Sequence, residues 1–134
     1  FLAFLHECFA HDVVEAHGQP FIFAPRPARP PVLIGGAPEH AFARVVAHGD
    51  GWMPMRAEAA TLAPQLAELR ARMAEAGRPA PRVVPLTGLS LDDGVRAADE
   101  LAALAALGVA GVVHAARYDS AADFGRMVEG LARL

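Results

Sequence analysis

A short apolar run that stops at two adjacent glycines constrains the fold of this chain more than any other feature. Residues 32–34 (Val-Leu-Ile) lead directly into Gly35 and Gly36. A helix-like stretch at 39–48 follows, and a second short apolar run then opens at 50–52 with Asp-Gly-Trp. Because glycine has no side chain, adjacent glycines leave backbone N–H groups uncovered, so an anionic group can approach them closely.

The same alternation of strand and helix extends along the rest of the chain. Four strand candidates lie at 32–35, 51–54, 83–89 and 111–115, and the helices that follow them lie at 39–48, 57–76, 92–107 and 121–133. Strands that alternate with helices predict a parallel α/β sheet. Pro85 lies inside the third strand and predicts a bulge or a sheet edge there, since proline cannot donate to a ladder.

Two of these helices carry clear local signals. The helix at 57–76 has one apolar stripe, formed by Leu62, Leu66, Leu69 and Met73, and Gly77 ends it. Ser120 and Asp123 form a capping-box-like start for the last helix. The first pattern predicts a helix with one apolar face, and the second predicts where the last helix begins.

The N-terminal part of the chain has a different pattern. Residues 1–16 carry apolar side chains at helical spacing, which predicts a helix. Residues 17–31 contain five prolines, so we interpret this stretch as an irregular, proline-rich connection. Together with four βα units at 32–134, these segments predict a single α/β domain, which suits a chain of 134 residues.

Composition and charge argue against several classes of protein. The net charge is −3, and the two arginines of the proline-rich stretch, Arg26 and Arg29, are too few for a nucleic-acid footprint. No apolar run approaches the length of about 20 residues that spans a bilayer. The N-terminus has no basic region and no cleavage-like site, so no signal peptide is expected. Cys8 is the single cysteine, which fits a reducing cytoplasm, and its apolar neighbours predict a packed core thiol.

Five segments occur in an order that resembles one known family. They read HGQPFIF (17–23), PPVLIGG (30–36), HGDGWMP (48–54), EAGRPAPRV (75–83) and LGVAGVV (107–113). Each segment alone is a weak signal, but their order and spacing resemble the luciferase-like monooxygenases, the flavin- or F420-dependent oxidoreductases. A full barrel of that family needs about 250 residues, so the resemblance implies the second half of a (β/α)8 TIM barrel, strands five to eight.

The resemblance also implies a bound cofactor and a set of residues around it. A luciferase-like oxidoreductase or monooxygenase would bind FMN or coenzyme F420, and the sequence leaves both open. The residues that would contact the cofactor are Ile34, Gly35, Gly36, Ala37, Gly51 and Trp52. In the family Ser or Thr often follows the two glycines, whereas this chain has Ala37 and Pro38 there. The substrate would be a small molecule, and the resemblance assigns no catalytic residue.

Each of these positions also has a purely structural interpretation. Gly35 and Gly36 would then form a tight turn without a ligand. Trp52 would be a packing residue whose indole N–H bonds to a neighbour, which is the usual arrangement for a buried tryptophan. For Gly51, the functional interpretation is that it lets the cofactor ring approach closely. For the neighbouring Asp50, the structural interpretation is that it only turns the chain.

Four further side chains follow the second and fourth strands. Arg56 either faces the anionic tail of a cofactor or is solvated. Arg117 and Tyr118 follow the fourth strand, at the rim where TIM barrels place their active sites. His114 ends that strand and is either a proton shuttle or a hydrogen-bonded structural histidine. The other histidines show no HExxH motif or paired ligand spacing, so no metal site is expected.

Two alternatives concern the chain as a whole. Four parallel strands alone leave two open edges and an uncovered inner face, which predicts association with a second copy or with an N-terminal barrel half. Alternatively, the chain folds as a small open α/β sandwich with its own helices over both faces. A separate hypothesis for its function is a non-catalytic, truncated half-barrel that dimerises or pairs with a missing N-terminal half. A Rossmann-type dinucleotide domain ranks last, because the third glycine of G-x-G-x-x-G is absent.

Overall fold

The computed structural model describes all residues from 1 to 134 and contains five helices and seven strands. The helices are α1 (Leu2–Ala10), α2 (Pro38–His48), α3 (Ala59–Glu75), α4 (Gly94–Ala106) and α5 (Ala121–Leu131). The strands are β1 (Val13–Ala16), β2 (Gln19–Ile22), β3 (Leu33–Gly35), β4 (Gly51–Met53), β5 (Arg82–Val83), β6 (Leu86–Thr87) and β7 (Val113–His114). The chain divides into two compact units, residues 1–32 and residues 33–134.

The first unit is a helix followed by a β-hairpin, and the hairpin corrects the sequence prediction. The predicted helix at 1–16 ends at Ala10, and β1 and β2 pair antiparallel. His17 (φ 54°) and Gly18 (φ 76°) both adopt left-handed conformations, as a two-residue type I′ turn requires. This turn and the two β-branched valines of β1 favour a hairpin over a longer helix.

The predicted irregular stretch at 17–31 is shorter than expected, because β2 occupies part of it. Pro20 lies within β2. Proline is tolerated there because both strands of a two-stranded ribbon are edge strands. Cys8 is buried in α1 as a free thiol, which confirms the prediction of a core cysteine.

The second unit is a mixed α/β fold in which parallel strands alternate with helices. β4 lies between β3 and β5, β6 pairs with β7, and every one of these pairs is parallel. A parallel bridge between Met55 and Leu86 lies just beyond β4, at the start of β6. The carboxyl ends of β3, β4 and β6 therefore point in one direction, toward one rim of the unit.

Pro85 interrupts the third predicted strand, as the sequence indicated. Val84 and Pro85 separate β5 from β6 within the predicted strand at 83–89. The backbone at the interruption still bonds to its neighbours, because the N–H of Val84 donates to the carbonyl of Trp52 at 3.1 Å. The carbonyl of Pro85 also accepts the N–H of Val113 at 2.8 Å. The interruption therefore changes the course of the strand while both of these bonds persist.

The best-packed part of the second unit lies around α2, α3 and β4. The stripe predicted on α3 is fully buried, which confirms its core role; its members are Leu62, Leu66, Leu69 and Met73. Phe42 and Val45 of α2 and Trp52 of β4 are buried with them, each at most 1% exposed. Burial of a large apolar side chain stabilises a fold by about 1.5–3 kcal/mol, so this region is held firmly.

The last helix is packed less well than the others. Its start follows the predicted capping box, since Ser120 Oγ accepts the N–H of Asp123 at 3.1 Å. No residue of α5 is buried, and Phe124 and Val128 are each 46% exposed. None of the five helices combines the length and the apolar character needed to cross a membrane.

Candidate functional site

A cavity of about 280 Å³ lies between the glycine turn that follows β3 and the residues that follow β4. Gly36, Ala37 and Trp52 line it, together with Arg56 and Thr61. In parallel α/β folds, ligands bind beyond the carboxyl ends of the strands. The structure therefore brings three of the six residues expected from the sequence to one cavity of the usual kind.

Trp52 fixes the conformation of the glycine turn. Its indole Nε1–H donates to the carbonyl of Gly36 at 2.9 Å. Its ring packs edge-on against Phe42, with the ring centroids 5.0 Å apart. Gly36 itself has φ +113°, in the left-handed region that favours glycine. Trp52 is thus a buried packing residue whose indole N–H bonds to a neighbour, and this bond holds the glycine turn in place.

The start of α2 offers fewer donors to an anion than its sequence indicates. Pro38 has no N–H, and the N–H groups of His40 and Ala41 both donate to the carbonyl of Ala37, at 3.0 and 2.9 Å. The first turn also carries the carboxylate of Glu39. Since that negative charge opposes an anion at a helix N-terminus, the positive charge of the site has to come from side chains.

Arg56 is the side chain that best supplies this charge. It lines the cavity, and no hydrogen bond or ion pair within the chain engages its guanidinium. Its backbone has φ +54° and its N–H donates to the carbonyl of Leu86 at 2.9 Å, which fixes the loop after β4. A guanidinium forms bidentate, charge-assisted pairs with phosphate. Arg56 is therefore suited to an anionic group in the cavity.

Two polar residues of α3 complete the lining and were missed by sequence reasoning. Thr61 and Gln65 lie one helical turn apart at the start of α3, and both line the cavity. Thr61 supplies the kind of hydroxyl that Ala37 and Pro38 lack. Their spacing beside the apolar stripe was visible in the sequence, but nothing local linked them to the glycine turn.

A second arginine lies close to the turn and was also missed. Arg44 Nη2 is 3.9 Å from the position that a Cβ on Gly36 would occupy. Its Nε–H donates to the carbonyl of His40 at 2.9 Å, which directs the side chain back along α2. The cavity is thus lined by the guanidinium of Arg56, the hydroxyl of Thr61, the amide of Gln65 and the open backbone of Gly36. These groups fit a phosphate.

Of the three remaining predicted residues, Ile34 and Gly51 have packing roles. Ile34 is buried, and a Cβ on Gly49 would lie only 2.8 Å from its Cγ1. A Cβ on Gly51 would lie 1.8 Å from the carbonyl oxygen of Arg82, so the close approach of β4 to β5 requires glycine. Gly35 is exposed at the end of β3. These three residues do not line the cavity, and their contact with a cofactor stays a prediction.

His114 lies in β7, in the two-stranded sheet with β6, and its contacts are structural. Its Nδ1 accepts the N–H of Leu89 at 3.0 Å, and its Nε2 is buried without a hydrogen-bond partner. Because Nδ1 accepts, the proton of a neutral ring belongs on Nε2. A ring held in this way has no free lone pair for a base, and the hydrogen-bonded interpretation describes its geometry.

Arg117 and Tyr118 line a cavity of about 380 Å³ next to His114. Tyr118 packs against Phe124, with the ring centroids 5.2 Å apart, and is largely exposed. In the same cavity, Asp123 bonds to Ser120, and this bond lowers the pKa of Asp123, with a smaller contribution from Arg126. Of the charged groups that line this cavity, Asp123 and Arg126 are paired with each other.

A third cavity, of about 580 Å³, lies between the end of β6 and α4. There the carboxylate of Glu100 accepts the N–H of Ser90 at 3.0 Å and its hydroxyl at 2.7 Å, and Arg96 Nε–H donates to it at 3.2 Å. These bonds, with the Ser90 hydroxyl foremost, hold the pKa of Glu100 below its ordinary value. The loop after β6 is thus fixed by α4.

Comparison with known proteins assigns a family to this arrangement. The family model described as luciferase-like monooxygenase matches residues 1–132 of the 134. No curated protein matches the chain. The matched range includes the glycine turn, Arg56 and all of the parallel strands.

Proposed function

The chain belongs to the luciferase-like monooxygenase family, and from this premise we propose that it is an FMN- or F420-dependent oxidoreductase, or the half of one that binds the cofactor phosphate. The observation that carries the proposal is the 280 Å³ cavity, which unites the glycine turn with the guanidinium of Arg56 and the hydroxyl of Thr61. A phosphate group is common to FMN and coenzyme F420, so the cavity suits the part that they share.

The residues of the cavity have distinct roles in this proposal. Arg56 pairs with the phosphate, and Thr61 donates its hydroxyl to it. Gly36 and Ala37 allow the phosphate to approach the backbone, and Trp52 keeps the turn in place. The bound cofactor would supply hydride or oxygen chemistry, whereas the chain supplies binding, orientation and exclusion of water.

The other three residues predicted to contact the cofactor do not line the cavity but belong to the strands that carry it. Ile34 anchors β3 in the core, and Gly51 lets β4 approach β5. Gly35 ends β3 immediately before the turn. We propose that they act on the cofactor indirectly, through the position of the glycine turn.

We further propose that the parallel strands correspond to strands five to eight of a (β/α)8 barrel. Their order in the sheets follows their order in the chain, and, with β5 and β6 counted as one interrupted strand, β3 and β7 are the two outer strands. A barrel leaves no unpaired edge. A second copy or an N-terminal barrel half would therefore pair with these edges, and the small-molecule substrate would bind where the two halves meet.

Titration of the purified chain with FMN, and separately with coenzyme F420, tests the proposed function through the fluorescence of each cofactor. We expect saturable binding of at least one of them. Arg56→Gln should weaken that binding about tenfold or more, because a charge-assisted hydrogen bond contributes roughly 1.5–3 kcal/mol. Arg82→Gln is the matched control, since Arg82 is exposed on β5 and lines neither of the cavities next to Arg56.

A second pair of variants tests the turn itself. Ala37→Glu places a carboxylate at the cavity and should abolish binding, whereas Ala37→Gln adds a side chain of the same size without the charge. Ala37 has φ −67°, so neither variant strains the backbone. A folded wild-type chain that binds neither cofactor, or an Ala37→Glu variant that binds as well as Ala37→Gln, would contradict the proposal.

A non-catalytic half-barrel is the second candidate function, and the exposed face of α5 favours it. Phe124, Val128 and Leu131 are each at least 37% exposed on this helix, as on a surface that another chain covers. Light scattering on the cofactor titration sample separates the two functions. A stable oligomer that binds neither FMN nor F420 would support the half-barrel alone, and saturable cofactor binding would argue against it.

A further inference from the structure

The cavity at the glycine turn shares its wall with a larger one. Arg56 and Ala57 line both the 280 Å³ cavity and the 580 Å³ cavity beside α4. The two spaces therefore lie on either side of the loop that follows β4. A ligand group paired with Arg56 in the smaller cavity borders the larger one, whose volume of about 580 Å³ has room for a chain that continues beyond that group.

The charges of the larger cavity are unbalanced. Five charged side chains line it: Arg56, Glu58, Arg96, Asp99 and Glu100. Glu100 and Arg96 compensate each other, with Nε 3.2 Å from the carboxylate oxygen. Glu58 and Asp99 are exposed and form no ion pair within the chain, so both carboxylates are accessible to a ligand in this cavity. Once Arg56 is engaged by a phosphate, these two carboxylates dominate the space beside it.

We propose that Glu58 and Asp99 make the site selective for a cofactor that ends at its phosphate, as FMN does. Coenzyme F420 carries a chain of glutamates beyond its phosphate, and those carboxylates would lie next to two carboxylates of the protein. Like charges within a Debye length, about 8–10 Å, repel each other. The inference rests on the proposed function, because it takes the glycine-turn cavity as the phosphate site.

The direct test compares two forms of coenzyme F420, one with its glutamate chain and one without any glutamate. Both forms carry the same ring and the same phosphate, so only the tail differs. Titration of the wild-type chain, followed by cofactor fluorescence, should show that the tail-free form binds about fivefold or more tightly, as expected for two exposed like-charge pairs. This ratio should shrink toward one as salt is added, because the repulsion is screened.

The variant Glu58→Gln/Asp99→Asn removes both carboxylates with little change in shape. It should bring the affinity ratio of the two forms close to one and leave the affinity for FMN within about twofold of the wild-type value. Glu58 precedes α3 as its N-cap but makes no side-chain capping bond, so its replacement costs no such bond. Glu68→Gln is the control, since Glu68 is exposed on α3, pairs with Arg72 and lines neither cavity.

The outcomes separate this inference from the proposed function. Equal or tighter binding of the glutamylated form by the wild-type chain would overturn the inference, while the phosphate site would stand. A ratio that the double variant leaves unchanged would also overturn it. If neither FMN nor either form of F420 binds the folded wild-type chain, the phosphate site and the selectivity fail together.

Discussion

The second unit has two parallel sheets, linked by the bridge between Met55 and Leu86, and the outer ends of these sheets differ in packing. At the end that carries the glycine turn, Trp52 and Phe42 are each 1% exposed and pack against the buried stripe of α3. At the other end, β7 is followed by α5, none of whose residues is buried. A binding site needs supporting side chains that packing holds in place. The glycine turn has such support, whereas the region around His114 has less of it.

This difference in packing suggests that the two ends have different roles. At the well-packed end, the conformation of the glycine turn is fixed by Trp52, a residue of the same unit. The loosely packed end exposes an apolar helix face beside an unpaired strand edge, which suits a surface that another chain covers. The following substitutions test this contrast, beginning with the largest expected effect.

Gly51→Ala should be the most damaging substitution at the packed end. The new Cβ would lie 1.8 Å from the carbonyl oxygen of Arg82 and 2.9 Å from Cδ2 of Leu33, and the backbone of Arg82 cannot easily move aside. We expect a loss of more than about 4 kcal/mol of unfolding free energy, or failure to fold. Gly125→Ala on α5 is the matched control, since a Cβ there meets nothing within 4 Å. Denaturant unfolding should show the control to be neutral or about 0.5–1 kcal/mol more stable.

Leu66→Ala and Leu131→Ala compare the same truncation at the two ends. Leu66 is 1% exposed in the core and Leu131 is 37% exposed on α5. The core variant should lose about 2–5 kcal/mol, because a cavity remains, and the α5 variant less than about 1 kcal/mol. Urea unfolding of both proteins measures the difference. Equal losses would show that α5 is packed as tightly as α3 in solution.

Trp52→Phe should have an intermediate effect and should also weaken ligand binding. It removes the hydrogen bond to the carbonyl of Gly36 while an aromatic ring stays against Phe42. We expect a loss of about 1–3 kcal/mol from the unpaired carbonyl. Tyr118→Phe, which removes a hydroxyl from an exposed ring, should change stability by less than about 0.5 kcal/mol. Calorimetry of the two variants, with a cofactor titration of each, checks the contrast.

Acid should act on the loop after β6 through Glu100, with the smallest effect of the series. Hydrogen bonds from Ser90, then Arg96, lower the pKa of Glu100 in the folded chain. A carboxyl whose pKa is lower in the folded than in the unfolded chain stabilises the fold. This contribution is complete above the unfolded pKa, about 4.3, and is lost as the pH falls through the folded pKa. Wild type should therefore lose stability between about pH 5 and pH 3 more steeply than Glu100→Gln does.

Unfolding free energies measured by denaturant across this pH range provide the readout. Glu75→Gln is the control, because no hydrogen bond or ion pair engages the side chain of Glu75 at the end of α3. Its profile should run parallel to that of the wild type. Parallel profiles for wild type and Glu100→Gln would show that the Ser90 contacts do not persist in solution.

Much of the second unit could be predicted from the sequence, because its signals are local. The spacing of Leu62, Leu66 and Leu69 defines a buried helix face, and Pro85 marks the break in the third strand. The first unit was predicted less well. Its apolar residues fit a helical period as far as residue 16, but His17 and Gly18 form a turn whose preference for a hairpin outweighs that period.

The candidate site was predictable only where it is contiguous in the chain. Gly36 and Ala37 were found because the apolar run and the two glycines are adjacent. Thr61 and Gln65 reach the same cavity from another helix, and only the packing of α3 onto α2 brings them there. The role of Gly51 depends on the carbonyl of Arg82, some thirty positions away in the chain, so no local pattern could reveal it.

The bond between Trp52 and Gly36 has one practical consequence. Trp52 is the only tryptophan in the chain, so all indole emission comes from a ring that is bonded to the glycine turn and lines its cavity. The emission of the unlabelled protein therefore acts as a spectroscopic probe of this one turn. A flavin or deazaflavin whose phosphate occupies the cavity would quench this emission by energy transfer, and loosening of the turn would shift it toward the red.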